Sequence, residues 1–316
     1  MLDPMLRRSV LTVAELAPVR WLFEKHGMKF GVDRFIAGES LPEALAQVKR
    51  LNERGLLATL DLLGENVSDA RQAEQNAAAI AELFPAIERH GLRANVSVKL
   101  TQLGLKTDPR LCLKLMERIA SEAAACRNFV RIDMEDSSVT QATVDLFRQM
   151  RSGFGPERIG LVLQSYLFRS EQDVREIGTQ GTNLRIVKGA YREPPDVAYR
   201  LKREVDAAYV RLVRAHLEQG GYAAVATHDP RMIGSVLELT ERLAVPRHRF
   251  EFQMLYGIAV DLQRSLADAG YAVRVYTPFG RHWYPYFTRR IAERPANFWF
   301  VAKHLFRSSS DYAGQR

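Results

Sequence analysis

The chain has 316 residues, 47% of them hydrophobic and 26% charged, with a formal net charge of +8. This is ordinary globular composition, long enough for one large domain or two average ones. Two cysteines, Cys112 and Cys126, supply neither a disulfide framework nor a metal-ligand spacing, so a reducing cytoplasm is the expected compartment and no metal is expected. No run approaches the ~18 apolar residues of a membrane span, and the N-terminus has no signal-peptide core. The basic residues interleave with acids, as in LKREVDAAYVR. That spread fits a solvated surface, an anionic small molecule or an acidic lipid surface better than a polynucleotide.

In chain order, the first expected elements are two helices, VAELAPVRWLFEKHG (13–27) and LPEALAQVKRLNERG (41–55). The second runs into a glycine stop. They form an N-terminal helical extension, residues 1–50, packed on the catalytic region 51–316. Short runs of β-branched and apolar residues follow at 56–62, 93–100, 129–134, 159–164, 184–189, 222–227, 249–255 and 272–277. Between them the apolar residues take helical spacing, as in Leu111, Leu115 and Ile119, or Val197, Leu201, Val205, Ala208 and Leu212. Eight strands alternating with helices predict an α/β fold, a (β/α)8 TIM-like barrel, rather than an open doubly wound sheet. No GxGxxG or GxxxxGK supports a nucleotide-binding open sheet.

Polar residues cluster where these runs end: Asp61, Glu65, Lys99, Asp133, Gln164, Lys188, His228, Gln253 and Tyr276. In such a barrel the carboxyl ends of the strands share one face, where active sites are built. A polar residue closing one strand is usually a cap or turn former; so many on one mouth predict an enzyme. Hydrolase and metalloprotease patterns are missing. Lys99 and Lys188 each end a strand after an apolar approach, which suits a class I aldolase-like lyase working through a Schiff base. A basic nucleic-acid-binding protein is the weaker alternative.

The last segment, VRVYTPFGRHWYPYFTRRIAE, reads as the eighth strand followed by a helix from about Trp283. On that helix Tyr286, Arg289, Arg290 and Glu293 fall on one face. Planar guanidinium groups pair bidentately with carboxylates, so this face predicts a grip on an anionic substrate. Cations and tyrosines around the mouth suit such a substrate beneath a large flat cofactor.

Taken in order, NVSVKLTQLG, RIDMED, LVLQSYL, LRIVKGAY, ATHDP, YTPFG and YFTRRIAE resemble the proline dehydrogenase family in its compact single-function bacterial form, over about residues 57–300. The resemblance implies a distorted barrel with its last helix lying over the mouth, and FAD held non-covalently. It implies oxidation of L-proline to Δ1-pyrroline-5-carboxylate, with hydride passing from C5 to the flavin and electrons then passing to a membrane quinone. A peripheral membrane contact at the inner face follows, helped by the basic charge. The second oxidation would belong to a separate pyrroline-5-carboxylate dehydrogenase.

Residue by residue, it implies flavin contacts from Met134, Gln164, Arg185, Val187, Lys188, Gly189, Ala190, Ala226, Thr227, His228, Gln253 and Leu255, with Glu293 and Phe300 close by. Lys202 would reach the adenosine half. Lys99, Arg289 and Arg290 would bind the carboxylate, Tyr276 and Tyr286 would wall the ring, and Asp133 and Tyr191 would be catalytic. Glu65 would pair with Arg289 as a gate.

Overall fold

The computed structural model describes residues 32–64 and 67–293, with side chains as far as Arg290, and Trp21 besides. The helix expected at 13–27 and Phe300 lie outside the described residues, Trp21 apart. Eight parallel strands, β1 (Leu57–Leu62), β2 (Ala94–Lys99), β3 (Val130–Asp133), β4 (Ile159–Gln164), β5 (Asn183–Val187), β6 (Tyr222–Ala226), β7 (Phe250–Leu255) and β8 (Val273–Phe279), close in sequence order into one barrel. The seam is made by β1 on β8, from Leu57 beside Arg274 to Leu62 beside Phe279. Each expected run is a strand. β5 stops at Val187, so Lys188 and Gly189 belong to the loop beyond it.

The helices are α1 (Leu41–Glu53), α2 (Ala70–Ala81), α3 (Leu83–Arg89), α4 (Pro109–Ala125), α5 (Ser137–Phe154), α6 (Ser170–Ile177), α7 (Lys202–Glu218), α8 (Pro230–Arg242), α9 (Val260–Asp268) and α10 (Tyr284–Glu293). Aspartates start four of them: the side chains of Asp69, Asp108, Asp136 and Asp229 accept from backbone N–H groups of the first turns of α2, α4, α5 and α8. These N–H groups have no partner within the helix itself. Val197 and Leu201, expected inside a helix, precede α7 instead. The segment follows Pro194 and Pro195 and finds its backbone partners elsewhere: Phe168 N–H donates to Val197 O at 3.1 Å, and Tyr199 N–H to Tyr166 O at 2.7 Å.

Helix α1 straddles residue 50 and packs its Ala44, Leu45 and Val48 face into the main core beside β1 and β8. It thus occupies the wall position beside the seam. Helix α10 goes elsewhere. Its Tyr284, Tyr286 and Phe287 cluster with Phe35, Leu63 and Ile258, and Leu63 and Ile258 lie just past the ends of β1 and β7. The last helix therefore covers the carboxyl-end rim.

Alternation along the strands decides what faces the lumen. Leu60, Val98, Ile132, Leu161, Ile186 and Phe252, all fully buried, point outward into the helix layer. The alternate positions hold Asn95, Ser97 and Lys99; Arg131 and Asp133; Asn183 and Arg185; Glu251 and Gln253; Arg274 and Tyr276. Barrel lumens of this fold are ordinarily filled by branched aliphatic side chains; this one is polar and charged.

One buried group outside the lumen gives the fold a pH signature. His216 in α7 is fully buried, its ring nitrogens 3.2 Å from Gly178 O and 2.9 Å from Tyr222 O. Burial outweighs these carbonyls and depresses its pKa to about 4. A histidine depressed in the fold contributes stability that is complete above its unfolded value, near 6.5, and is lost as pH falls towards 4. The loss should reach about 3 kcal/mol. Melting temperatures at pH 7 and 4.5 should fall further for the wild type than for His216→Gln; parallel falls would mean the ring is charged in the fold.

Candidate active site

At the carboxyl end of the lumen side chains from three other strands, β2, β5 and β8, converge on Asp133 of β3. Its Oδ1 accepts from Arg185 Nη1 at 2.8 Å, and its Oδ2 accepts from Tyr276 O–H at 2.8 Å. Lys99 Nζ lies 3.6 Å from Oδ2, and donates to both Asp61 carboxylate oxygens at 3.0 Å and to Tyr276 Oη at 3.2 Å. Arg185 also donates through Nε to Gln253 Oε1 at 2.5 Å and through Nη2 to Ser97 Oγ at 3.1 Å. β5 is flanked by β4 and β6, so these bonds to β2, β3 and β7 cross the lumen. The Arg185 cation is thus held on three sides.

Burial raises the Asp61 carboxyl, against the pull of Lys99. Burial, with Asp133 and Asp61 nearby, drives the Tyr276 phenol well above its usual range. Tyr276 therefore stays a neutral donor. Lys99 and Lys188 are both held in ion pairs with carboxylates, Lys188 Nζ lying 2.5 Å from Asp206 and 3.2 Å from Asp229. A Schiff-base nucleophile needs an amine free to attack, and both of these strand-end amines are engaged by carboxylates, which weighs against the aldolase-like alternative.

A second cluster lies over β5 and β6. Lys202 joins Lys188 on Asp206 and Asp229, and Asp229 caps α8. Burial works to raise the Asp229 carboxyl, but the two lysines and the Arg231 N–H hold it down at about 2. His228, half-buried, accepts the Leu255 N–H at Nε2, 2.9 Å away, which fixes that nitrogen as the unprotonated one. Thr227 is buried, and Ala226 partly so, at the end of β6.

Gln164 ends β4. Its Nε2 donates to Glu135 O at 2.7 Å, while its buried Oε1 has no hydrogen-bond partner. Interiors seldom leave such an acceptor unmet, and one at the mouth suits the ring N–H of a flat heterocyclic cofactor. Gly189 adds a bare stretch of backbone. With φ +115°, a Cβ there would stand 2.4 Å from the Tyr166 ring, and Tyr166 Oη in turn donates to the buried Glu193 at 3.1 Å. Gly189→Ala should therefore displace Tyr166 and cost about 1–3 kcal/mol of stability. Thermal melts would show it; an unchanged melt would mean the loop relaxes freely.

On α10, Tyr286 is buried and Arg290 stands with its guanidinium carbon 5.1 Å from the Tyr286 ring centroid. Tyr276 packs against the same cluster, linking α10 to the charged mouth. Arg289 is half-buried one position earlier, and Tyr191 half-buried in the loop after β5, where Ala190 is exposed. Met134 is buried just past β3. The Glu293 side chain and Glu65 lie outside the described residues.

Sequence reasoning passed over Ser97, Arg131, Glu135, Glu251 and Arg274. Glu135 is buried and takes the Thr101 N–H at 3.0 Å, fixing the carbonyl that orients Gln164. The others carried a visible signal: polar residues two apart in NVSVK, VRIDM, RFEFQML and VRVYT. In a barrel whose outer face is sheathed by helices, such alternation must point inward.

A proline dehydrogenase family model matches residues 44–303. The chain is 41% identical over 303 residues to proline dehydrogenase 1 of Bacillus subtilis, covering 96% of this chain and 100% of that one. It is 42% identical over 310 residues to a proline dehydrogenase of Deinococcus radiodurans, covering 97% and 100%. Among solved structures it is similar to proline utilization A (PutA) from Bdellovibrio bacteriovorus inactivated by N-propargylglycine. The TM-score is 0.78 at 27% identity, over 84% of this chain and 33% of that longer one.

Proposed function

This chain belongs to the proline dehydrogenase family and is an oxidoreductase that oxidises proline in its catabolism, and from that premise we propose its finer chemistry. FAD is the cofactor, the hydride leaves C5 of L-proline, and the product is Δ1-pyrroline-5-carboxylate. The observation that carries this reading is the meeting of Lys99, Asp133, Arg185 and Tyr276 beneath the Gln164 acceptor. Such a pocket offers cations for a carboxylate and a bonded floor for a heterocycle.

The residues that would hold FAD are Gln164, Arg185, the Val187–Ala190 backbone, Thr227, His228 and Gln253, with Met134, Ala226 and Leu255 packing beside them and Lys188 and Lys202 towards its phosphates and adenosine. FAD supplies the hydride acceptor, whose reduced form a positive surrounding favours. The protein supplies the rest. Lys99, Arg289 and Arg290 bind the substrate carboxylate, and Tyr191, Tyr276 and Tyr286 wall its ring. As the C5 electrons depart, positive charge grows on the substrate nitrogen, and the Asp133 carboxylate is the anion placed to stabilise it. Its lone pairs already take Arg185 and Tyr276, so it is oriented without reorganising. Helix α10 keeps water from the mouth.

No helix among the described residues is long and apolar enough to cross a membrane. We propose that electrons pass to a membrane quinone through a peripheral contact. A separate dehydrogenase would consume the product.

Purified protein should be yellow, and L-proline should bleach its flavin absorbance without oxygen. A colourless protein trapped by borohydride on a lysine would overturn the reading.

A further inference from the structure

The charged ladder does not end at the site; it continues down the lumen. Below Gln253, two residues back on β7, lies Glu251, 2% exposed. Its Oε1 accepts from Gln253 Nε2 at 2.5 Å and from Arg274 Nε at 2.8 Å. Burial works to raise its carboxyl, but Arg274, Gln253 and Arg131 together hold it below the ordinary value. It is a carboxylate, an acceptor with no N–H or O–H to give.

An amide side chain has one donor end and one acceptor end. With an obligate acceptor beneath it, Gln253 must turn its NH2 down. Its Oε1 is then turned up, to the Arg185 Nε–H at 2.5 Å. That bond fixes the guanidinium plane, which sends Nη1 to Asp133 and Nη2 to Ser97. We infer that Glu251, at the floor of the barrel, is a positioning residue that sets the direction of the Arg185 guanidinium by dictating which way Gln253 points.

The inference rests on the reading that Arg185 faces the flavin, but its test does not. The Arg185 Nε–H proton can be followed by 15N NMR in the protein as purified, while the visible spectrum of the same sample reports whether flavin is present. Glu251→Met removes the acceptor at similar volume. Hydrogen exchange at Arg185 Nε–H should then quicken by about tenfold or more, the loss of one hydrogen bond. Glu251→Gln keeps an oxygen for Gln253 and Arg274, and should restore slow exchange. Where Glu251→Met leaves Arg274 too poorly balanced to fold, Glu251→Met/Arg274→Met removes the pair together, a change buried ion pairs often tolerate. It should give the same fast exchange.

In a Gln253→Met background, Glu251→Met should add nothing to the exchange rate, whatever it does to the melting temperature. Slow exchange in a folded Glu251→Met or double-Met protein would overturn the inference, as would full additivity with Gln253→Met. A sample without flavin but with the expected exchange pattern would sink the cofactor reading and leave this one standing.

Discussion

Arg185→Met is expected to be the most damaging single change in the lumen. Arg185 is 4% exposed and its side chain donates to Asp133, Gln253 and Ser97. Removing it strands a buried carboxylate and two oriented acceptors, and breaking one partner of a buried pair costs about 3–5 kcal/mol. Lys99 at 3.6 Å and the Tyr276 hydroxyl soften that loss for Asp133, so folding should survive. Catalysis should not. Loss of a charge-assisted contact in a dry site is worth about 2–4 kcal/mol, or roughly 30- to 1000-fold in kcat/KM, with weaker flavin retention. Arg185→Lys should recover little, because one ammonium cannot reach three strands at once. A variant with full flavin and undiminished turnover would remove Arg185 from the mechanism.

The second large effect belongs to α10. Consecutive helical residues are about 100° apart, so Arg289 and Arg290 cannot share one task. Arg290 lies over the Tyr286 ring, 5.1 Å from its centroid, and is assigned to the substrate carboxylate from the cofactor side. Arg289 is assigned to bridge that carboxylate and Glu65. Arg290→Ala should lower kcat/KM roughly 30- to 1000-fold, mostly through KM if the clamp holds substrate and transition state alike. Glu65→Ala should cost less than Arg289→Ala and be non-additive with it. Simple addition of the two losses would discard the gate while leaving the clamp.

The barrel was legible because each strand run is apolar and flanked by helical spacing, and strand ends shift by only a residue or two from the expected ones. The mouth was legible for the same reason, since polar residues at run ends are conspicuous. Asp133 and Gln253 meet through Arg185, and Tyr276 and Lys99 join them at Asp133. Lys188 and Lys202 were expected to face the cofactor, and the aspartates that hold them, Asp206 and Asp229, gave no warning, being a helix residue and a cap. The start of α7 was misjudged because helical spacing from Val197 to Leu212 is a one-dimensional pattern. It cannot reveal that 197–199 has partners on another loop. Glu251, Arg131 and Arg274 look like solvent-facing positions of amphipathic strands, and only closure turns that face inward.

Closure also bears on how the chain reaches its fold. The seam joins Leu57 to Arg274 and Leu62 to Phe279, partners more than two hundred residues apart. Pairing so distant is slow to nucleate, because the loop entropy is lost before any contact compensates. Until β8 docks on β1, the ladder from Glu251 to Asp133 lies in an open trough where water can solvate every charge. Docking expels that water and brings Arg274 to both Glu251 and the Ala58 carbonyl, at 2.8 and 2.9 Å. Desolvation and pairing must then come together, in the last step. A chain lacking β8 should therefore stall as a hydrated, partly open sheet with edges at β1 and β7, prone to stick to other copies through them.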